Sequence, residues 1–138
     1  MKPSPLTAVI IDDEPEAIKG MQALLSDHEE ISLAGTAGTA ESAIALCLKT
    51  RPDVLFLDIN MPGKDGFAVL KELHEHRFYP YAIFTTAFDQ FTLQAIRAGA
   101  LDYLLKPIDR KELQAAIEKA MENKASHDIE HRTAHRIA

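Results

Sequence analysis

The chain has 138 residues, of which 46% are apolar and 26% are charged, so it is long enough to form one domain with a substantial core. Its formal net charge of −6 argues against direct binding to nucleic acid, because phosphate backbones attract basic surfaces. No apolar run approaches the roughly 18 residues that a membrane span needs, the N-terminus lacks a signal-peptide pattern, and the single cysteine fits a reducing compartment, so we expect a cytoplasmic protein.

Apolar runs that predict strands alternate with patterns that predict helices. The predicted strands cover residues 6–12, 31–37, 53–58, 81–87 and 101–106. Apolar residues at helical spacing follow each strand, and they include Ala17, Ile18 and Met21, then Ala40, Ala43 and Ile44, then Phe67, Leu70 and Leu73, then Leu93 and Ile96, and finally Leu113, Ala116 and Ile117. Thr39, Asp65 and Asp109 precede three of these helices and are predicted N-caps. This alternation predicts an α/β fold with a doubly wound, five-stranded parallel sheet and five helices.

The helical pattern weakens toward the C-terminus. From about Asn123 onward polar residues take over, so we predict a domain over residues 1–122 and a linker or C-terminal tail over residues 123–138. His127, His131 and His135 are spaced four residues apart, a spacing that can bind a transition metal on one helical face. The polar sequence around them favours a solvated tail instead.

Polar groups interrupt the predicted strands at their carboxyl ends. The first strand ends in Asp12 and Asp13, the third in Asp58, the fourth in Thr85 and Thr86, and the fifth in Lys106. Because ligands of doubly wound sheets bind beyond the carboxyl ends of the strands, we expect these side chains to meet. Three carboxylates and one lysine leave a negative charge that a divalent cation would neutralise, and oxygen ligands without nearby His or Cys favour Mg²⁺.

This set of groups also indicates a reaction. A carboxylate can accept a phosphoryl group and form an acyl phosphate. Positive charge and hydrogen-bond donors then stabilise the phosphoryl oxygens. Asp58 supplies the carboxylate, Lys106 and Mg²⁺ the charge, and Thr86 the donor. We expect Gly63 and Gly66 to serve the backbone geometry of the loop after Asp58.

Four motifs carry a family resemblance. "IIDDEPEA", "LFLDINMPGKDGF", "FTTAF" and "ALDYLLKP", in this order, closely resemble the receiver domain of two-component response regulators over roughly residues 6–122. The last two motifs look most like receivers of LytTR (LytR/AlgR-type) transcription regulators. The resemblance implies a flavodoxin-like fold with strand order 2-1-3-4-5 and a protein that catalyses only its own phosphoryl transfer and dephosphorylation.

The resemblance also implies how the site is built. Asp58 would be the phosphoacceptor. Asp13 and Asp58 would ligate Mg²⁺ directly, together with the backbone carbonyl of Asn60, and Asp12 would act through water. Lys106 would hold the phosphoryl group, and its peptide bond to the following proline would be cis.

A switch and several partners follow from the same resemblance. Thr86 and Tyr103 would be the switch pair, with Tyr103 turning from solvent toward the space that Thr86 vacates. Phe88 would lie beside the water that hydrolyses the acyl phosphate, and its bulk predicts a long-lived phosphoaspartate. The partners would be a sensor histidine kinase and a second copy, bound through the fourth helix, fifth strand and fifth helix. DNA would be contacted only through an output domain that is absent from this chain.

Three alternatives remain open at this point. A haloacid-dehalogenase-type phosphatase also uses an Asp nucleophile and Mg²⁺, but its nucleophile lies in an Asp-x-Asp pattern after the first strand. A flavodoxin-like FMN binder would need a phosphate loop where this chain has "DDEPEA". A free-standing receiver would act by protein contact and have no output domain.

Overall fold

The computed structural model describes the backbone of residues 4–137 and the side chains of residues 4–129. Within that part of the chain, strands and helices alternate as predicted. They are β1 (Leu6–Ile11), α1 (Pro15–Leu25), β2 (Ile31–Ala37), α2 (Ala40–Thr50), β3 (Val54–Asp58), α3 (Gly66–Glu75), β4 (Tyr81–Thr86), α4 (Thr92–Arg97), β5 (Asp102–Leu105) and α5 (Arg110–Ile137). No helix in these residues is both long and apolar enough to cross a membrane.

The strands form one sheet in the order β2-β1-β3-β4-β5, and all four neighbouring pairs are parallel. This confirms the predicted doubly wound α/β fold and its strand order. Strand β3 is buried along its whole length because helices cover both faces of the sheet. One apolar cluster packs α2 and α3 against one face, and a second packs α1 and α5 against the other.

The predicted N-caps are confirmed. Each accepts a hydrogen bond from a backbone N–H three residues ahead: Thr39 from Ser42 at 3.1 Å, Asp65 from Ala68 at 2.9 Å and Asp109 from Glu112 at 3.0 Å. These bonds satisfy orphan donors in the first turn and fix where α2, α3 and α5 begin. Each helix therefore starts directly after the loop that follows a strand end.

Helix α4 turns its large apolar side chains away from the core. It is present where predicted, but Leu93 and Ile96 are 58% and 67% exposed, whereas Ala95 is 1% exposed. The helix therefore packs through a small side chain and turns its large apolar side chains outward. An apolar surface results beside β5.

Helix α5 continues well beyond Asn123, where the apolar periodicity fades. It spans 28 residues, and Lys124 Nζ lies 2.9 Å from Asp53 Oδ1 at the base of the sheet. A polar contact therefore holds this part of the helix. The boundary after residue 122 stays a prediction, and so does the solvated tail that the sequence favours over a metal site at the histidines. His127 is exposed, and the side chains of His131 and His135 lie outside the described residues.

Candidate functional site

Three carboxylates meet at the carboxyl edge of the sheet. Asp12 and Asp13 follow β1, and Asp58 is the last residue of β3. One oxygen from each lies within 4.8 Å of the others. Asp12 and Asp58 are only 3% and 5% exposed. Adjacent parallel strands that are followed by or end in acids have therefore gathered three carboxylates, of which Asp12 and Asp58 are shielded from water and Asp13 is half-buried.

Lys106 reaches this cluster from the end of β5. Its Nζ donates to Asp12 Oδ2 at 2.6 Å and lies 3.7 Å from Asp58 Oδ2. Its backbone N–H donates to the carbonyl of Thr86 at 2.7 Å, which ties it to the end of β4. The Lys106–Pro107 peptide bond is cis, as the resemblance implied. The structure thus brings Lys106 and the three acids together.

The cluster's electrostatics follow from burial and crowding. Burial raises the pKa of Asp58 to about 6; Lys106 and the Asn60 N–H oppose this rise, and the charges of Asp12 and Asp13 add to it. For Lys106, burial works to lower the pKa, but the Asp12 hydrogen bond and the nearby acids outweigh it and raise the pKa. The lysine is therefore charged at neutral pH, and it is one cation among three carboxyl groups.

The donor set fits a hard divalent cation. The cluster consists of carboxylate oxygens, which are the ligands that Mg²⁺ prefers. Asp12 already accepts hydrogen bonds from Lys106 and, at 2.9 Å, from the backbone N–H of Glu14. Asp13 and Asp58 are therefore better placed than Asp12 to ligate a cation directly. Asn60 is exposed. The metal-binding role of its carbonyl stays a prediction.

Thr86 and Tyr103 are joined through one residue of the β4–α4 loop. Thr86 is fully buried and follows Thr85, the register partner of Asp58. Its Oγ1 accepts from the backbone N–H of Phe88 at 3.3 Å. The Tyr103 hydroxyl donates to the backbone carbonyl of the same Phe88. Tyr103 is half-buried, and its ring packs against the core.

Comparison with known sequences identifies the family. A sequence model described as the response regulator receiver domain matches residues 8–118. The chain belongs to the response regulator receiver domain family. This confirms the predicted family. The match is to receivers and not to the two other families considered, the haloacid-dehalogenase-type phosphatases and the flavodoxin-like FMN binders.

Individual relatives support the same assignment for this receiver. It is 39% identical to the transcriptional regulatory protein BtsR of Salmonella typhi over 125 residues, which are 90% of this chain and 52% of that protein. It is 36% identical to the sensory transduction protein LytT of Enterococcus faecalis over 112 residues, 81% of this chain and 46% of that protein. The LytT match agrees with the predicted likeness to LytTR regulators. The chain spans about half the length of the curated relatives it matches.

A solved structure shows the same fold. The receiver resembles the REC domain of AraT, a response regulator from Geobacillus stearothermophilus, with a TM-score of 0.80 and 31% identity. The alignment covers 89% of this chain and 98% of that one. The chain is thus the receiver domain of a two-component response regulator, and its relatives include transcriptional regulatory proteins.

Sequence reasoning missed part of this receiver's site. It assigned Gly66 to backbone geometry without a reason, and the structure supplies one: a Cβ there would lie 2.4 Å from the carbonyl oxygen of Asp58. Gly66 N–H also donates to Ile59 at 2.8 Å. Sequence reasoning also missed that Phe88 bonds both residues of the switch pair. The bonds are made by the backbone N–H and carbonyl of Phe88, which every residue type except proline has, so the sequence could not reveal them.

Proposed function

We propose that this receiver accepts a phosphoryl group on Asp58 from a phosphohistidine of a sensor histidine kinase. The observation that carries the proposal is the position of Asp58, at the end of a buried strand, among two further acids and 3.7 Å from Lys106 Nζ. Asp58 lies at the carboxyl edge of the sheet, so the phosphohistidine would approach from that edge. A nucleophile, its charge partners and its access are thus in one place.

The reaction is a transfer from nitrogen to oxygen. An Asp58 carboxylate oxygen attacks phosphorus, the new P–O bond forms as the P–N bond breaks, and the bonding electron pair leaves with the imidazole nitrogen. The signal ends by hydrolysis: water attacks the phosphorus of the acyl phosphate, the bond from phosphorus to the Asp58 oxygen breaks, and inorganic phosphate is released. The chain therefore acts on its own phosphoryl group and on no second substrate.

Other residues stabilise the charge that arrives. Lys106 Nζ would pair with one phosphoryl oxygen, because it already lies between Asp12 and Asp58. Thr86 would donate its hydroxyl hydrogen to another, since it uses only an acceptor site toward Phe88. Asp13, Asp58 and the Asn60 carbonyl would hold Mg²⁺, with Asp12 acting through water, and the bound ion would supply further positive charge for the phosphoryl group.

The switch pair would pass this change to the face of α4, β5 and α5. A second receiver copy is the proposed occupant of that face, supported by exposed Ile96 and Leu105. Sedimentation with Mg²⁺ and beryllofluoride, a phosphoryl mimic, tests this. Ile96→Glu should abolish the dimer, and Leu33→Glu, on the exposed strand β2, should not. A dimer that survives Ile96→Glu would contradict the assignment.

Regulation of transcription through a LytTR DNA-binding domain is the proposed output. Its support is the similarity to BtsR, a transcriptional regulatory protein about twice as long as the matched region. In this proposal residues 1–122 form the receiver and residues 123–138 lead toward the output domain, in the cytoplasm. The acidic net charge favours a separate domain for DNA contact. A gene whose product lacks any basic domain would favour the free-standing receiver instead.

Intact-mass measurement with a small phosphodonor and Mg²⁺ tests the chemistry. The wild type should gain one phosphoryl group, and Asp58→Asn should gain none. Asp53→Asn is the matched control, because Asp53 precedes the same strand that Asp58 ends. Equal phosphorylation of Asp58→Asn and wild type, or loss in Asp53→Asn alone, would refute Asp58 as the acceptor.

The side chain of Phe88 is proposed to slow dephosphorylation. It is 46% exposed, on the loop that follows Thr86, and the Phe88 backbone N–H donates to the Thr86 hydroxyl. Phe88→Glu and Phe88→Ala should shorten the lifetime of phosphoaspartate, measured by mass after donor removal. Unchanged lifetimes in both variants would contradict this role.

A further inference from the structure

Four phenylalanine rings form a continuous series between α3 and the β4–α4 loop. The rings of Phe84 and Phe67 have centroids 4.8 Å apart, those of Phe67 and Phe91 6.4 Å, and those of Phe91 and Phe88 6.5 Å in an edge-on arrangement. All three separations lie within the range of favourable aromatic pairs. Phe84 is fully buried on β4 and anchors the series in the core.

One end of this series touches the acidic cluster through the backbone. Phe67 follows Gly66, the first residue of α3. Gly66 packs so closely on Asp58 that a Cβ would lie 2.4 Å from the Asp58 carbonyl oxygen. A displacement of the Asp58 backbone therefore moves the first turn of α3, and the ring of Phe67 with it.

The other end holds the residue that joins the switch pair. The Phe88 N–H donates to Thr86, and its carbonyl accepts from Tyr103. Phe91 occupies the N-cap position of α4 and forms no side-chain capping bond. Ring packing against Phe67 and Phe88 is thus one of the contacts that fix this end of the loop, beside the Thr92 hydroxyl, which donates to the Asp89 carbonyl at 2.9 Å.

We propose that the rings of Phe67, Phe91 and Phe88, here called the aromatic bridge, position the β4–α4 loop so that a change at Asp58 reaches Tyr103. The bridge acts beside Thr86 as a second connection between the two residues. It rests on the proposed function, since phosphorylation supplies the change. These are positioning residues, because their contacts are with the loop and not with the phosphoryl group.

Fluorine NMR of protein that contains 3-fluorotyrosine gives a direct readout. The chain has three tyrosines, so Tyr103→Phe identifies the Tyr103 signal. Mg²⁺ and beryllofluoride should shift this signal in the wild type. Phe91→Leu keeps an apolar side chain but removes the ring. It should still gain a phosphoryl group in the mass assay. The ratio between the outward-facing and inward-facing populations of Tyr103 should change by about 2- to 10-fold relative to the wild type.

Two more variants make the result decisive. Phe67→Leu breaks the bridge at another contact and carries the test if Phe91→Leu does not fold by circular dichroism. Phe78→Leu is the matched control, since this buried ring stacks under Arg51 at the other edge of the sheet. If Tyr103 shows the same populations in Phe91→Leu and Phe67→Leu as in the wild type, the proposal is overturned. An equal change in Phe78→Leu also overturns it, because general loosening would then be the cause.

The same measurements separate failure of the bridge from failure of the proposed function. If the wild type gains no phosphoryl group, the proposed function fails and the bridge with it. If the wild type is phosphorylated but the Tyr103 signal stays unchanged, or responds identically in the bridge variants, only the bridge fails.

Discussion

Asp53 and Asp58 lie at opposite ends of β3, and each is paired with a lysine that comes from a distant part of the chain. Folding nevertheless changes their acidity in opposite directions. For Asp53, burial opposes ionisation, but hydrogen bonds from Lys124 and Thr7 outweigh it and lower the pKa. For Asp58, burial raises the pKa to about 6.

The difference comes from the neighbours of each carboxylate. Asp53 accepts from Lys124 at 2.9 Å and from both the N–H and the hydroxyl of Thr7, at 2.9 and 3.2 Å. Asp58 shares its space with Asp12 and Asp13, whose charges repel its own. A carboxylate surrounded by donors stabilises the fold. A carboxylate crowded by acids is instead suited to a cation or to an electrophile such as phosphorus.

Gly66→Ala should have the largest effect on the Asp58 end. Its Cβ would meet backbone atoms, which cannot rotate away as a side chain could, so the loop must shift. We expect a loss of about 2 to 3 kcal/mol in the free energy of unfolding, as for an overpacked core. Phosphorylation in the mass assay should slow as well.

Gly20→Ala is the control for Gly66→Ala. A Cβ at Gly20 would meet nothing within 4 Å, in the middle of α1. It should raise stability by about 0.5 to 1 kcal/mol, because alanine favours helices. Urea denaturation measures both variants. Equal stability of Gly66→Ala and wild type would show that the close approach to Asp58 is not required.

Asp53→Ala should show the largest effect at the other end. It removes three hydrogen bonds from a partly buried carboxylate, and we expect a loss of about 2 kcal/mol in the free energy of unfolding. Because folding lowers the Asp53 pKa, its stabilisation is present above the ordinary value of 3.8 and is lost as pH falls through the folded value. The difference in the free energy of unfolding between Asp53→Ala and the wild type should therefore become smaller below about pH 4, as measured by denaturation at a series of acidic pH values. A constant gap would contradict the ionic origin.

Asp58→Asn should stabilise the protein, whereas Asp53→Ala should destabilise it. The raised pKa means that ionised Asp58 costs stability at neutral pH, and the amide removes that cost. Because folding raises the pKa of Asp58 from 3.8 to about 6, and water screens part of the cost, we expect a gain of about 1 to 2 kcal/mol in the free energy of unfolding at pH 7 with a chelator present. Added Mg²⁺ should reduce the gain, because it stabilises only the protein that binds it. Destabilisation by Asp58→Asn under these conditions would contradict the proposed crowding.

The sequence predicted the Asp58 end far better than the Asp53 end. Aspartates that end apolar strands stand out, and the carboxyl ends of parallel strands must share one edge. Asp53 directly precedes the same strand, but its partners, Thr7 and Lys124, are 46 and 71 residues away in the sequence. Nothing in their spacing reveals the contact. The length of α5 could not be predicted for the same reason, since apolar periodicity cannot detect a helix held by polar contacts.

Lys124→Met tests that last point and should have the smallest effect. It removes an ion pair whose side chains are 33% and 25% exposed, so we expect a loss of about 0.5 to 1 kcal/mol. The loss should be local, because Asp53 retains its bonds to Thr7, and hydrogen exchange should speed up in α5 from residue 124 onward. Lys119→Met is the control: it removes a comparable pair with Asp102 at 3.3 Å, more than one turn earlier. Faster exchange after residue 124 in both variants would mean that the Asp53 contact does not hold this end of the helix.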